Sequence, residues 1–232
     1  MNPSAPPAGI PAIRQWIADD TPLKRFLTAQ RWMARAYFEA RYMVADPWHL
    51  ATSAYERERA RATLEVLEGR RYSSAVDVGC GEGLFASRLL DRCDRIVAVD
   101  FSSLAVRRAR RRFAVEPRVE VRHLDIRTEP LDRSFDLVLC AEVFYYLSRD
   151  EREAVGARLV TLAAPGGDLC LIHGTSAHDA AIVTGAPLRP GSTSAASIHQ
   201  WFRQVPGLAV VRDVLHPRYR ITLLRRIEES RG

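Results

Sequence analysis

The chain has a single lysine, Lys24, and only four cysteines among its 232 residues. Arginine therefore supplies nearly every surface cation, and an excess of arginine carries less meaning here than in an average composition. Cys80, Cys93, Cys140 and Cys170 lack metal-ligand spacing, and three of them fall in or beside runs that read as core strands. They read as small buried hydrophobes in a reducing compartment. No cluster of His, Cys, Asp and Glu has the spacing of a zinc site, so no metal is expected. No run of about eighteen apolar residues exists, which excludes a transmembrane helix. The first residues lack the basic start and apolar run of a signal peptide, and their Pro and Ala content suggests a disordered lead-in over 1–12. A cytoplasmic location is expected. No G-x-S-x-G elbow supports a hydrolase. What remains is a chain of the right length for one α/β domain with a sizeable core.

The richest stretch is Val76–Asp77–Val78–Gly79–Cys80–Gly81–Glu82–Gly83. Three alternating glycines follow a β-branched run, and a helical pattern begins at Leu84. A strand that must turn sharply and admit a ligand to its backbone needs residues without a Cβ. Dinucleotide folds use a similar turn, but their G-x-G-x-x-G fingerprint needs a small residue where Leu84 stands. Asp77 and Glu82 would also repel a pyrophosphate. A cofactor with a cationic amino-acid end fits better. S-adenosyl-L-methionine, with S-adenosyl-L-homocysteine as product, is the expected ligand.

Two further acids fall where that ligand needs them. Arg95–Asp100 reads as a buried parallel strand ending in a carboxylate, which can accept both hydroxyls of a ribose. Val119–Ile126 alternates like a strand and carries Asp125 at its end. That acid can accept from an exocyclic amine of adenine while Ile126 packs on the ring. A strand-end Asp can equally cap the next helix, but three at successive strand ends favour the cofactor.

The series V-D-V-G-C-G-E-G, V-D-F-S, H-L-D-I and F-D-L-V-L-C-A-E-V resembles the motifs of class I S-adenosylmethionine-dependent methyltransferases over about residues 72–174. Asp46–Pro47–Trp48, Ala54–Arg59 and Ala141–Leu147 narrow the likeness and are similar to the nodulation protein S family, whose members N-methylate the free amino sugar of a chitooligosaccharide signal. The resemblance implies a doubly wound, Rossmann-like α/β sheet of seven strands, mostly parallel, with an antiparallel hairpin strand at the C-terminus and added N-terminal helices. It implies cofactor contacts from Trp48, Tyr55, Asp77, Gly79, Cys80, Gly81, Gly83, Asp100, Phe101, Asp125, Ile126, Ala141 and Glu142.

Coarse periodicity agrees with that architecture. Asp19–Pro22 offers a helix start, and a broad apolar stripe runs from Leu23 to about Val44 before Asp46–Pro47 breaks it. A second helix covers about Ala54–Glu68. Strands and helices then alternate, which demands a parallel sheet. The fourth strand is Phe135–Cys140, and Ala164–Gly167 turns the chain into the fifth, Asp168–His173. Leu208–Leu215 and Tyr219–Arg225 form the closing hairpin. The expected division is a helical lid segment over 13–70 and a methyltransferase domain over 71–232. The segment Gly174–Ser194, rich in small residues and Pro, leaves a strand's carboxyl end and reads as a substrate-side flap or a passive loop.

The net charge of +6 and the run Arg107–Arg112 invite a nucleic-acid reading. Val106, Ala109 and Phe113 give that helix an apolar face, which leaves the arginines on a solvated side. No aromatics interleave them for base stacking. Nucleic acid is therefore not the expected partner, and a small-molecule acceptor is, for a monomer or homodimer.

Methyl transfer needs an aligned nucleophile and, for an amine, a way to lose a proton. Glu142, Tyr145 and His173 are the catalytic candidates. Tyr145, Tyr146, His173 and His178 are the candidates for holding the acceptor. Each has a plainer reading: Glu142 as a helix cap, the tyrosines as core, His173 as a satisfied strand-end histidine. Trp48 either seals the site or is an ordinary buried tryptophan. The expected reaction is N-methylation of an amino sugar or similar amine, possible in natural-product biosynthesis. O-methylation of a small molecule, RNA methylation and a non-catalytic cofactor-binding scaffold are the alternatives.

Overall fold

A computed structural model describes residues 31–175 and 194–228. The expected lead-in, the helix start at Asp19–Pro22, His178 and nearly all of the flap lie outside the described residues. Helix α1 (Arg31–Arg41) and helix α2 (Ala54–Val66) precede the sheet. There follow β1 (Tyr72–Val78), α3 (Leu84–Leu89), β2 (Cys93–Asp100), α4 (Ser103–Arg112), β3 (Val119–His123) and β4 (Phe135–Ala141). A 3-10 turn (Phe144–Tyr146), α5 (Arg149–Leu162), β5 (Ala163–Gly174), α6 (Ala195–Arg203), β6 (Leu208–His216) and β7 (Tyr219–Arg226) complete the domain.

The seven strands lie in the order β3-β2-β1-β4-β5-β7-β6. β1 to β5 pair in parallel, while β7 runs antiparallel to both β5 and β6. This is the mixed sheet expected from the sequence. Its central strands are apolar on both faces because helices cover both. Val76 and Val78 join one core with Phe202 and Leu159, while Ala75 joins the opposite core with Leu89 and Leu67. The strand order reverses between β1 and β4. A crevice opens there at the strands' carboxyl ends, where ligands bind in open α/β sheets.

Several local expectations are corrected. Ala164–Gly167 is no separate turn: β5 starts at Ala163, which pairs with Phe135, and the register shifts before Leu137 meets Asp168. The extra residues bulge from a continuous strand. β3 ends at His123, so Asp125 lies beyond it. A tight turn follows at once, with the Thr128 N–H donating to the Asp125 carbonyl. The α4 arginines are not merely solvated. Arg108 donates to Glu82 and to the Val44 carbonyl, and Arg112 donates to the Glu82 carbonyl. The apolar face itself is as expected, with Val106, Ala109 and Phe113 buried.

Candidate active site

The loop after β1 builds the floor of the crevice. Gly81 has φ of +55°, and a Cβ there would come within 2.7 Å of the Tyr42 hydroxyl. The loop can therefore lie flat under the N-terminal segment only with glycine at this position. Its backbone N–H donates to Asp100 Oδ2 at 2.9 Å, and the Ser102 N–H donates to Asp100 Oδ1 at 2.8 Å. The end of β2 and the glycine loop are thus locked by one carboxylate.

Around this floor lies a cavity of about 320 Å³, in the range of small-molecule sites. Asp77, Gly79, Cys80 and Gly81 line it from β1 and its loop, Asp100 and Phe101 from β2. Asp125 and Ile126 line it from the β3 side, Ala141 and Glu142 from β4. Asp77 is almost wholly buried, and no donor among the described residues reaches its Oδ2. Burial raises its pKa to about 7, the Asp100 charge adding to the rise and the Ala86 N–H opposing it. Asp100 is raised to about 6, again chiefly by burial, against the two backbone N–H bonds. Burial, more than any neighbouring charge, therefore sets the raised pKa of both carboxyls.

A roof closes over them. Phe38 of α1 makes edge-on contacts with Phe101 at 5.2 Å and Tyr146 at 4.7 Å, and Trp48 packs against Phe38 and Tyr42. The turn at Asp46–His49 is fixed by two left-handed residues, Asp46 and His49, and by Asp46 Oδ2 accepting from the Ala51 N–H. Arg41 donates to the Pro47 carbonyl at 2.6 Å and lies over the Trp48 ring. Glu39 reaches across to cap α4, accepting from the Ser103 and Leu104 N–H groups. The stripe read from sequence runs through Met33, Ala36, Tyr37, Ala40 and Met43, and here it is corrected: Ala36, Ala40 and Met43 are exposed, and the face that packs is Ala34, Phe38 and Tyr42.

A model of the family described as Nodulation protein S (NodS) matches residues 33–185, well over half of the chain. The chain belongs to the nodulation protein S family. It is 37% identical over 143 residues to nodulation protein S of Bradyrhizobium diazoefficiens, an alignment covering 60% of this chain and 66% of that protein. It is 40% identical over 128 residues to an uncharacterized methyltransferase of Mycobacterium bovis, covering 55% of this chain and 60% of that one. The chain thus spans just under two thirds of the length of these relatives. In three dimensions it matches the N-methyltransferase NodS from Bradyrhizobium japonicum WM9, solved with S-adenosyl-L-homocysteine. The TM-score is 0.71 at 24% identity, over 84% of this chain and 98% of that one. The fold is the Rossmann-like methyltransferase fold.

Within this NodS-family chain, the structure brings most of the expected cofactor residues to one cavity. Trp48 and Tyr55 line it as well. Four expectations need correction. Gly83 is absent from the wall: it sits left-handed at the start of α3, where a Cβ would meet the Phe113 ring at 2.5 Å, so its smallness serves helix packing. Glu82, one of the two acids weighed against a pyrophosphate, turns away to Arg108 and the Asp46 N–H. Tyr145 does not line the cavity; its hydroxyl donates to the Gly174 carbonyl. His173 is fully buried behind Tyr145, with its ring edge-on at 5.2 Å. Tyr146 does line the wall, as part of the aromatic roof.

Glu142 adopts φ of +61°, and its Oε1 accepts from Arg59 and from the Gly174 N–H at 2.7 Å. Arg59 also donates to Glu56 at 2.6 Å and is itself buried. Sequence reading missed Arg59 as a wall residue, although Tyr55 and Arg59 stand four apart on α2 and so share a face. It also missed Phe38, Tyr42 and Arg88, all of which line the cavity. For Phe38 and Tyr42 the available signal was two aromatics spaced four apart, which share a helix face that the stripe read from sequence does not include. Asp125 is gripped by Arg127, whose Nη2 lies 2.7 Å from Oδ2, and Arg127 stacks on Phe101.

Proposed function

We propose that the chain is an S-adenosylmethionine-dependent methyltransferase acting on a small-molecule acceptor, with the amine of an amino sugar or similar compound preferred. The carrying observation is Asp77, which lines the cavity together with Asp100 and whose buried Oδ2 has no donor among the described residues. Such an atom calls for a cation. In this reading the cofactor's ammonium meets Asp77, and Arg59 and Arg88 supply countercharge for its carboxylate. Asp100 accepts from the ribose hydroxyls through its remaining lone pairs, and Asp125 with Ile126 and Phe101 holds the adenine. The bound cofactor supplies an electrophilic methyl group on a sulfonium. The protein's own part is to align the acceptor and exclude water. Residues 13–70 act as the lid and 71–232 as the catalytic domain. Trp48 seals the cavity from solvent.

The solved Bradyrhizobium relative is named as an N-methyltransferase, which supports the amine over a hydroxyl. RNA is disfavoured because Arg108 is engaged by Glu82 and the Val44 carbonyl, and no aromatics interleave the arginine run for base stacking. The test is titration calorimetry with S-adenosyl-L-homocysteine and NAD, followed by transfer of labelled methyl to glucosamine, a catechol and a short RNA. Binding of S-adenosyl-L-homocysteine alone, with label on glucosamine, is expected. Binding of NAD instead would sink the cofactor assignment, and label on RNA only would sink the acceptor class. A chain starting at Ala51 that keeps full affinity and turnover would remove the lid.

A further inference from the structure

Glu56 and Glu142 come from distant parts of the chain, and one arginine grips both. Glu56 stands at the third position of α2, where a glutamate ordinarily reaches back to the N–H of the capping residue. Here the capping residue is Ser53, and its N–H already donates to the His49 carbonyl at 2.8 Å. Glu56 is therefore released from capping and turns along the helix face, where its Oε2 accepts from Arg59 at 2.6 Å. Glu142 meets the same arginine from β4. Its N–H donates to the Ile172 carbonyl, and its Oε1 accepts from both Arg59 and the Gly174 N–H. Those bonds keep it at φ of +61°, a costly conformation for a residue with a side chain and one that clusters at functional sites.

Both carboxylates line the cavity, and each keeps an oxygen with no donor among the described residues, Glu56 Oε1 and Glu142 Oε2. The side chains are 13% and 32% exposed, and neither oxygen is sealed in, in contrast to Asp77 Oδ2. One guanidinium cannot neutralise two carboxylates. Burial raises the Glu56 pKa, Arg59 opposes the rise and the Glu142 charge adds to it, while Arg88 acts more weakly than either. Burial also works against the charge of Arg59, but Glu142 and Glu56 hold its pKa above the usual value. Its two Nη atoms are engaged by the pair. Its Nε is buried without a partner among the described residues, although Arg59 lines the cavity. An orphaned donor beside two half-used carboxylates points to a ligand at this end of the cavity. Nε is the donor left for the cofactor's carboxylate, and the free Glu oxygens need a different, cationic occupant.

We propose, resting on the methyltransferase reading, that Glu56 and Glu142 form the subsite for the acceptor's amine, select it over a hydroxyl, and pass its proton to Glu56. An ammonium brings three N–H donors and a charge, which satisfies both free oxygens and relieves the repulsion between the carboxylates. A hydroxyl brings one donor and no charge, and leaves one carboxylate unmet. In the step, one ammonium N–H bond breaks, its electron pair stays on nitrogen, and an O–H bond forms at Glu56 Oε1. Glu56 is the destination because Arg59 alone holds it, whereas Glu142 accepts from both Arg59 and Gly174. The nitrogen lone pair is then free to take the methyl group, and Glu56 later gives its proton to water.

The experiment is calorimetric binding of glucosamine and of glucose to the full chain, free and saturated with S-adenosyl-L-homocysteine. Wild type is compared with Glu56→Gln, Glu142→Gln and Glu56→Asp. Glutamine keeps a carbonyl that can accept from Arg59, and thermal melts report the fold of each variant. Wild type should bind glucosamine roughly tenfold or more tightly than glucose, a preference that each Gln variant should largely lose. Glu56→Asp, which keeps the charge, should restore part of it. Glu56→Gln should bind S-adenosyl-L-homocysteine as wild type does, yet lower kcat for glucosamine roughly ten- to hundred-fold. A wild type without preference for the amine overturns the proposal, as does a Glu56→Gln protein that keeps the full preference or full turnover. Failure of wild type to bind S-adenosyl-L-homocysteine is a different result. It removes the methyltransferase reading, while the comparison of the two sugars on the free chain still judges the carboxylate pair.

Discussion

Arg108 of α4 and Glu82 of the glycine loop meet at 2.7 Å, and this pair fastens the roof to the floor of the cavity. Glu82 also accepts from the Asp46 N–H at 3.1 Å, while Arg108 donates to the Val44 carbonyl at 2.7 Å. The two side chains are mostly shielded, so water and salt screen them less than a surface pair. One acid in a cofactor-type loop thus serves to hold the segment that covers it.

Arg108→Ala should loosen that segment, while Arg111→Ala, at an exposed position on the same helix, should not. We expect release of S-adenosyl-L-homocysteine to speed up several-fold in Arg108→Ala, with faster proteolytic cleavage between residues 43 and 52. Stopped-flow dissociation and limited proteolysis read these effects. Equal behaviour of the two variants would refute the latch.

Gly81→Ala attacks the same contact from below. The added Cβ would sit 2.7 Å from the Tyr42 hydroxyl, at a φ that side chains rarely adopt. A loss of about 1–2 kcal/mol of stability is expected from the backbone alone. Cofactor-product affinity should fall further in Gly81→Ala than in Tyr42→Phe, as calorimetry will show; the reverse order would move the constraint elsewhere.

Asp77 gives a pH signature whose sign is fixed. Its pKa of about 7 in the folded chain stands above the unfolded 3.8, and Asp100 at about 6 does likewise. The folded chain therefore binds more protons than the unfolded one in between. The stability these two groups contribute is complete below the unfolded value and is lost as pH rises through about 6 and then 7. Asp77→Asn should flatten the upper part of that loss in thermal melts. If bound S-adenosyl-L-homocysteine places its ammonium at Asp77, as proposed, the melting shift it produces should grow with pH over this window in wild type only.

Asp100→Ala should weaken S-adenosyl-L-homocysteine by about 1.5–3 kcal/mol if charge-assisted bonds to ribose are lost. The Gly81 and Ser102 N–H groups lose their acceptor in the same variant. Circular dichroism must therefore show an intact fold. Unchanged affinity in a folded Asp100→Ala protein would contradict the ribose assignment.

The legible parts of this protein were those written in local order. Alternating glycines behind a β-branched run placed the loop, and apolar strands separated by amphipathic helices placed the parallel sheet. Asp77 near the end of β1, Asp100 at the end of β2 and Asp125 two residues past β3 reached the same cavity because parallel strands all present their carboxyl ends to one edge. The errors came where a residue's neighbour is distant in sequence. Gly83 looked like its sister glycines until Phe113 was found against it. Arg108 looked solvated because its acceptors lie tens of residues away.

The sequence by itself determined the fold class, the family and the residues at the strand ends, since each depends on periodicity and short-range chemistry. Tertiary structure alone decided which charges are spent and which are available. Glu82 went to Arg108, Glu142 to Arg59, and Asp77 Oδ2 was left without a donor among the described residues. It also brought His173, His199, Thr222 and Asp213, residues scattered over four elements, into one hydrogen-bonded line. The physical reason is that hydrogen bonds and ion pairs act over a few ångströms of space, and only folding brings distant positions within that reach.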